Sequence, residues 1–300
     1  MEGSYVEHSP LKCEEVIIDL LFPGNFQIKH TLEETIKRVE QVLEISEKQP
    51  SRILIRVDSG GGSYEKIKWM LERGYQILTK ENNRKAEFYS HGVKKWFADQ
   101  KHPGRQLGWL TVEMEDFSRP VKRLVIRFPE HKSGKMKHHC LITTLEPDDI
   151  IDLLKLPNET INNEKELALA YARLYDLRGG TVEIEIKESK QGIGINKRSK
   201  KRFEAQKMVM LLNSLAHNVL VWTRRWLTET DSEHKIKFAR FGALRLVRDV
   251  FHTQGMLKFN SDGQLFDIVL NRGAPLVADL VVALMQMLAP ARIFVSLGDI

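Results

Sequence analysis

Two acidic residues stand where chemistry is possible. Asp58 closes the apolar run Arg52-Ile53-Leu54-Ile55-Arg56-Val57 and is followed by Ser59-Gly60-Gly61-Gly62-Ser63. An acid at the carboxyl end of a strand, ahead of glycines that let the chain turn and a ligand approach, sits where α/β sheets place their chemistry. The same acid could instead cap the following helix. A phosphate-binding glycine loop is excluded, because no Lys-Ser/Thr follows the glycines. Glu183 lies in the segment Tyr175-Asp176-Leu177-Arg178-Gly179-Gly180-Thr181-Val182-Glu183, which continues to Lys187 and Lys190. On a helix Glu183, Lys187 and Lys190 share one face, since spacings of four and seven recur after one and two turns. Plain i,i+4 ion pairing would also account for that face. His138-His139 beside Cys140 does not make a zinc site, because neighbours on a strand point to opposite sides.

The elements that must carry these residues follow from pattern. Residues 1–30 read as a hairpin, with Val16 to Leu21 apolar and Pro23-Gly24-Asn25 a turn. Thr31 followed by Glu34 is a capping box. It opens a helix to about Lys48 with Leu32, Ile36, Val39, Val42 and Leu43 on one face. A strand over 52–58, a helix over 64–73 ended by Gly74, and a strand over 75–80 predict a parallel pair with a right-handed crossover. Residues 86–147 read as β-rich, with runs at Leu110 to Glu115, Arg123 to Phe128 and His139 to Thr144, and a hairpin tip at Lys132-Ser133-Gly134-Lys135. Helices are expected over 148–154 and from 164 to about 176. After an interruption at Arg178-Gly179-Gly180, further helices are expected over 182–191 and 203–227. Strands follow Gly255 and Gly263, and a last helix spans 275–288. Met208, Met210, Met256, Met285 and Met287 are read as core or gap filler. The domain boundaries drawn from this pattern are 1–85, 86–147, 148–228 and 229–300.

Of 300 residues, 42% are hydrophobic and 29% charged, the composition of a soluble globular protein. No run reaches the ~18 apolar residues of a membrane span, and the amino terminus has no signal-peptide pattern. Two cysteines, Cys13 and Cys140, exclude a disulfide framework and fit a cytosolic protein. The net charge of +6 is unevenly spread. Lys187, Lys190, Lys197, Arg198, Lys200, Lys201 and Arg202 form one basic cluster, and Lys235, Lys237, Arg240, Arg245 and Arg248 another. Such clusters suit a polyanion, or a solvated helix face.

Taken together these segments resemble the DDE-type transposases of bacterial insertion sequences, over essentially the whole chain. Asp58-Ser59-Gly60, Arg73-Gly74-Tyr75 and Lys80 match in order the block that carries the family's second catalytic Asp. Tyr175, Arg178, Glu183 and Lys190 match its Tyr-Arg-Glu-Lys signature. Leu215-Ala216-His217-Asn218 resembles the Leu-Ala-Tyr-Asn element of the following helix, and Leu21-Phe22-Pro23-Gly24-Asn25 the stretch before the Asp block. The resemblance implies an α/β fold: an RNase H-like mixed sheet flanked by helices, with an inserted β-rich subdomain. It implies that Asp58 and Glu183 are two of three carboxylates holding Mg²⁺ or Mn²⁺ for two-metal phosphodiester chemistry. Tyr175, Arg178, Lys187 and Lys190 would then meet phosphates, and Trp109 would stack on a base flipped from the duplex, unless it packs in the core. Double-stranded DNA, a homodimer in a synaptic complex and a cytoplasmic, nucleoid-associated location follow from the same likeness. There are two departures. Four residues separate Arg178 from Glu183 where the family has three. The family's first Asp belongs upstream of the Pro-Gly-Asn stretch, so an N-terminally truncated or split transposase, poorly active alone, is expected. A non-catalytic DNA-binding remnant and another RNase H-like nuclease are the alternatives.

Overall fold

The computed structural model describes residues 15–22, 27–45, 50–82, 86–111, 117–130, 133–191, 202–229, 238 and 241–299. The chain forms two compact units, one built on Leu20–Thr181 and the other on Glu14–Asp19 with Val182–Ile300.

The first unit is a sheet with helices on both faces. Helix α1 (Ile28–Val42) starts earlier than its capping box suggests: Gln27 is the N-cap, and the Thr31 hydroxyl turns back onto the Ile28 carbonyl at 3.4 Å. Leu32 is buried, but Val42 and Leu43 of the expected apolar face are exposed. Strand β1 (Leu54–Ile55) is shorter than the apolar run. Pro50–Arg52 is taken up in a 3-10 turn, and β2 (Gln76–Lys80) is its one neighbour in the sheet among the described residues. The two strands are parallel, in register Leu54↔Gln76, with α2 (Tyr64–Glu72) as the crossover.

After α3 (Ala86–Ser90) come β3 (Phe97–Ala98), β4 (Gln106–Trp109), β5 (Lys122–Pro129) and β6 (Met136–Thr143). The β-rich stretch is laid onto the same sheet, in the order β1-β2-β6-β5-β4-β3, because β6 pairs antiparallel with β2. The strand expected at 110–115 lies earlier, at β4, and residues 112–116 fall outside the described residues, as does Lys132 of the hairpin tip.

Alternation sorts the strand residues between two layers. Ile77 and Ile142 face Leu32, Ile67, Met70 and Leu71 of α1 and α2. Leu78, Leu124, Ile126 and Leu141 face the other side, where α4 (Pro147–Leu154) and α5 (Glu164–Gln191) contribute Ile150, Ala168, Tyr171, Ala172 and Leu174. Small Ala168 and Ala172, one turn apart, let α5 approach the sheet. A capping box between Glu146 and Asp149 opens α4, and the Asn163 side chain accepts the amides of Lys165 and Glu166 to open α5. Helix α5 is unbroken through Gly179-Gly180, where two helices were expected. A helical glycine costs about 1 kcal/mol against alanine, too little to end a helix whose first half is anchored in a core.

In the second unit α6 (Phe203–Glu229) is followed by the short α7 (Ala243–Leu246), a π-helical turn (Val247–Phe251), β7 (Gly255–Phe259), β8 (Leu265–Asn271), α8 (Val277–Leu288) and β9 (Phe294–Gly298). The strands form a sheet ordered β7-β8-β9, antiparallel then parallel. Leu220, Leu227, Phe238, Leu246, Leu270, Leu280 and Val295 make its core. Of the hairpin expected over 1–30, residues 1–14 and the turn at 23–25 fall outside the described residues, and the apolar run Val16 to Leu21 forms no strand. Instead the Val16 amide and carbonyl both bond the Asn218 side chain at 2.8 Å, and Glu15 meets Trp222 and Arg225. Of the methionines read as core, Met210 is buried while Met208, Met256, Met285 and Met287 are exposed.

Candidate active site

Asp58 lies three residues past β1, in a turn that its own carboxylate helps to close: Oδ1 accepts the Gly60 amide at 2.9 Å. The Asp58 carbonyl accepts the Gly61 amide and the Ser59 carbonyl that of Gly62. The residue is exposed. The turn is tight against its surroundings. A Cβ on Gly62 would stand 2.0 Å from the Lys80 carbonyl oxygen, and one on Gly60 would stand 2.7 Å from Ile28. The Gly62 carbonyl accepts the Asn82 amide at 2.7 Å, and the Thr79 hydroxyl donates to the Val57 carbonyl at 2.9 Å. The glycines therefore let the Asp58 turn lie directly on the end of β2.

Arg56, two residues before Asp58, donates to the Leu174 carbonyl of α5 at 2.8 Å. That bond joins the strand of one signature segment to the helix of the other. It spans 118 positions of sequence, and nothing in local pattern announces it.

The motif Arg73-Gly74-Tyr75 is scaffold. Gly74 takes φ +85 as the chain leaves α2, and Arg73 and Tyr75 both donate to Glu40 of α1. Burial pushes the Glu40 pKa up, but the hydrogen bonds from Arg73 and Tyr75 outweigh it and leave it lowered. Burial and the Glu40 hydrogen bond push the Tyr75 phenol to about 12.

Of the residues expected to meet DNA, Tyr175 is 9% exposed and belongs to the core beneath α5. Trp109 is half-buried, edge-on to Tyr171 with ring centroids 5.0 Å apart, which is the core-packing arrangement. Arg178, Glu183, Lys187 and Lys190 all lie on the α5 backbone; their side chains fall outside what the structure describes. Residues 192–201, 230–237 and 239–240, with most of both basic clusters, also fall outside the described residues.

A cleft of about 530 Å³ that no sequence pattern announces runs along α5, lined by Asp99, Arg105, Leu169, Arg173 and Asp176. Arg105 bridges the buried Asp99 and the exposed Asp176 there at 2.6 and 2.7 Å. Among the described residues no three acidic, His or Cys side chains gather into a metal-ligand group. Asp58 suits Mg²⁺ by donor type, as a hard oxygen ligand at an exposed turn.

Residues 12–248 match the family model described as Transposase DDE domain group 1. The remaining 249–300 carry β7 to β9 and α8. No curated protein matches the chain.

Proposed function

We propose, for a chain that belongs to the DDE transposase family, group 1, that it cuts and joins phosphodiesters at the ends of an insertion sequence, with Asp58 and Glu183 as metal ligands. The observation that carries this reading is the Asp58 turn. An exposed carboxylate is held at the end of a parallel strand by glycines packed on the neighbouring strand. Asp58 would offer one carboxylate oxygen to a divalent cation while the Gly60 amide fixes the other. Glu183, on α5, would complete the grip with a third acid. When bound, Mg²⁺ or Mn²⁺ supplies activation of the attacking oxygen and relief of charge on the leaving one. Arg178, Lys187 and Lys190 would bind DNA phosphates, Arg178 with two parallel hydrogen bonds. The substrate is double-stranded DNA, and two copies would bring two transposon ends together. Acting on chromosomal DNA, the protein would work in the cytoplasm at the nucleoid. No helix among the described residues is long and apolar enough to cross a membrane.

The test compares cleavage of end-bearing DNA with Mn²⁺ by the wild type, Asp58→Ala, Glu183→Ala and, as a control, Asp262→Ala in the β7–β8 turn. Loss of about 100-fold or more is expected for the first two variants, with the control unchanged. Cleavage that survives Asp58→Ala would remove Asp58 from the site. Wild-type protein that binds the DNA without cutting it, both alone and with an added segment that supplies the family's first Asp, would leave the non-catalytic reading in its place.

A further inference from the structure

Behind the glycine turn lies an ion pair that the proposed chemistry does not use. Glu81 follows the last residue of β2 and is 9% exposed; Arg123, near the start of β5, is 5% exposed. Arg123 Nε stands 3.5 Å from Glu81 Oε2. The guanidinium carbon lies 5.9 Å from the Tyr89 ring centroid and 5.5 Å from that of Phe117. Taking two charges out of water can cost more hydration than their attraction returns, and apolar side chains of similar volume often replace such a pair without loss of stability. In some proteins such a pair is kept for the geometry it fixes.

The geometry at stake is the Asp58 turn. The Glu81 amide donates to the Cys140 carbonyl of β6 at 2.8 Å, and the next amide, that of Asn82, donates to the Gly62 carbonyl. The Lys80 carbonyl is the atom that leaves Gly62 no room for a Cβ. Residues 80–82 are thus one wall of the turn, and the Glu81 side chain sets that wall against β5 through an ion pair whose facing atoms, 3.5 Å apart, make no hydrogen bond. We infer that Glu81 and Arg123 are positioning residues, which hold the turn so that the Asp58 carboxylate keeps its aim. The role in catalysis rests on Asp58 being a metal ligand.

The experiment uses the full chain and three variants: the apolar double replacement Glu81→Met with Arg123→Met, Arg123→Lys, and Asp58→Ala. Amide exchange is followed at residues 60–62 and 82, and Mn²⁺ affinity is measured by the electron paramagnetic resonance of the uncomplexed ion, without DNA. The double variant should melt within about 3 °C of the wild type, since the apolar pair fills the space. Its turn amides should exchange about 10-fold faster, and its Mn²⁺ affinity should fall about 10-fold, the usual effect of losing a group that orients a ligand. Arg123→Lys keeps the charge but not the planar group between two rings, and should give faster exchange of smaller size. Wild-type exchange at 60–62 in both variants would overturn the positioning role, and Arg123→Lys alone decides it if the double variant does not fold. Mn²⁺ affinity unchanged in Asp58→Ala would instead overturn the metal-ligand reading, and the exchange data would still judge the clamp.

Discussion

His139 sits half-buried in β6, tilted against the Phe128 ring with centroids 5.2 Å apart. Burial, joined by the charges of Lys80, Lys137 and His138, lowers its pKa from 6.5 to about 4. The folded protein therefore resists a proton that the unfolded chain accepts, so stability rises with pH. The contribution is complete above about pH 6.5 and drains away as the pH falls toward 4. His139→Asn should flatten the stability curve across that window, as followed by urea unfolding at a series of pH values; an unchanged slope would assign the acid sensitivity elsewhere. Residues of this kind mark the limit of reading from sequence. The turn at Asp58 was legible because an apolar run ending in Asp and glycines is a local pattern. Arg56 on Leu174, and Glu81 against Arg123, were not, because each depends on which strands and helices the fold makes neighbours.

At the scale of elements, the parallel β1–β2 pair and the later helices were legible from period and punctuation. The ends of elements were not. Thr31 and Glu34 carry the letters of a capping box, yet α1 begins one turn earlier at Ile28. Arg178-Gly179-Gly180 carries the letters of a break, yet α5 runs through it to Gln191. Helical glycines in an intact helix give up backbone freedom that alanine does not have to lose. Gly180→Ala should therefore stabilise the protein by about 0.5–1 kcal/mol, seen as a higher melting temperature with more helical ellipticity. A fall in both would mean that this stretch requires glycine for a conformation other than helix. The exposed methionines of α6, β7 and α8 mark a similar limit: an apolar letter in a helix or strand does not say which face is covered.

For the whole molecule, the mild excess of +6 matters less than where the positive residues fall. The binding reading predicts that affinity for duplex DNA drops steeply as salt rises, since each phosphate contact releases counterions. Reversing Lys200, Lys201 and Arg202 to Glu should weaken binding to all sequences alike and reduce the slope of log affinity against log salt by about 2–3. An unchanged slope would place the phosphate contacts elsewhere on the surface. The family match, which ends at residue 248, says nothing about the β7-β8-β9 sheet, and the composition said only that it would be folded.

The clasp of Asn218 on Val16 sets a condition on how the protein is made. The two residues are 202 positions apart, and Glu15 reaches Trp222 across 207. A ribosome adding about 5–20 residues per second needs roughly 10–40 s to make the stretch between them. For that interval Glu15 and Val16 are outside the tunnel without their partners, while the sheet of the first unit has all its strands long before α6 exists. Attachment of Glu15 and Val16 is thus timed by the emergence of α6, and a nascent chain stalled before Asn218 would carry a finished sheet with that segment still unattached.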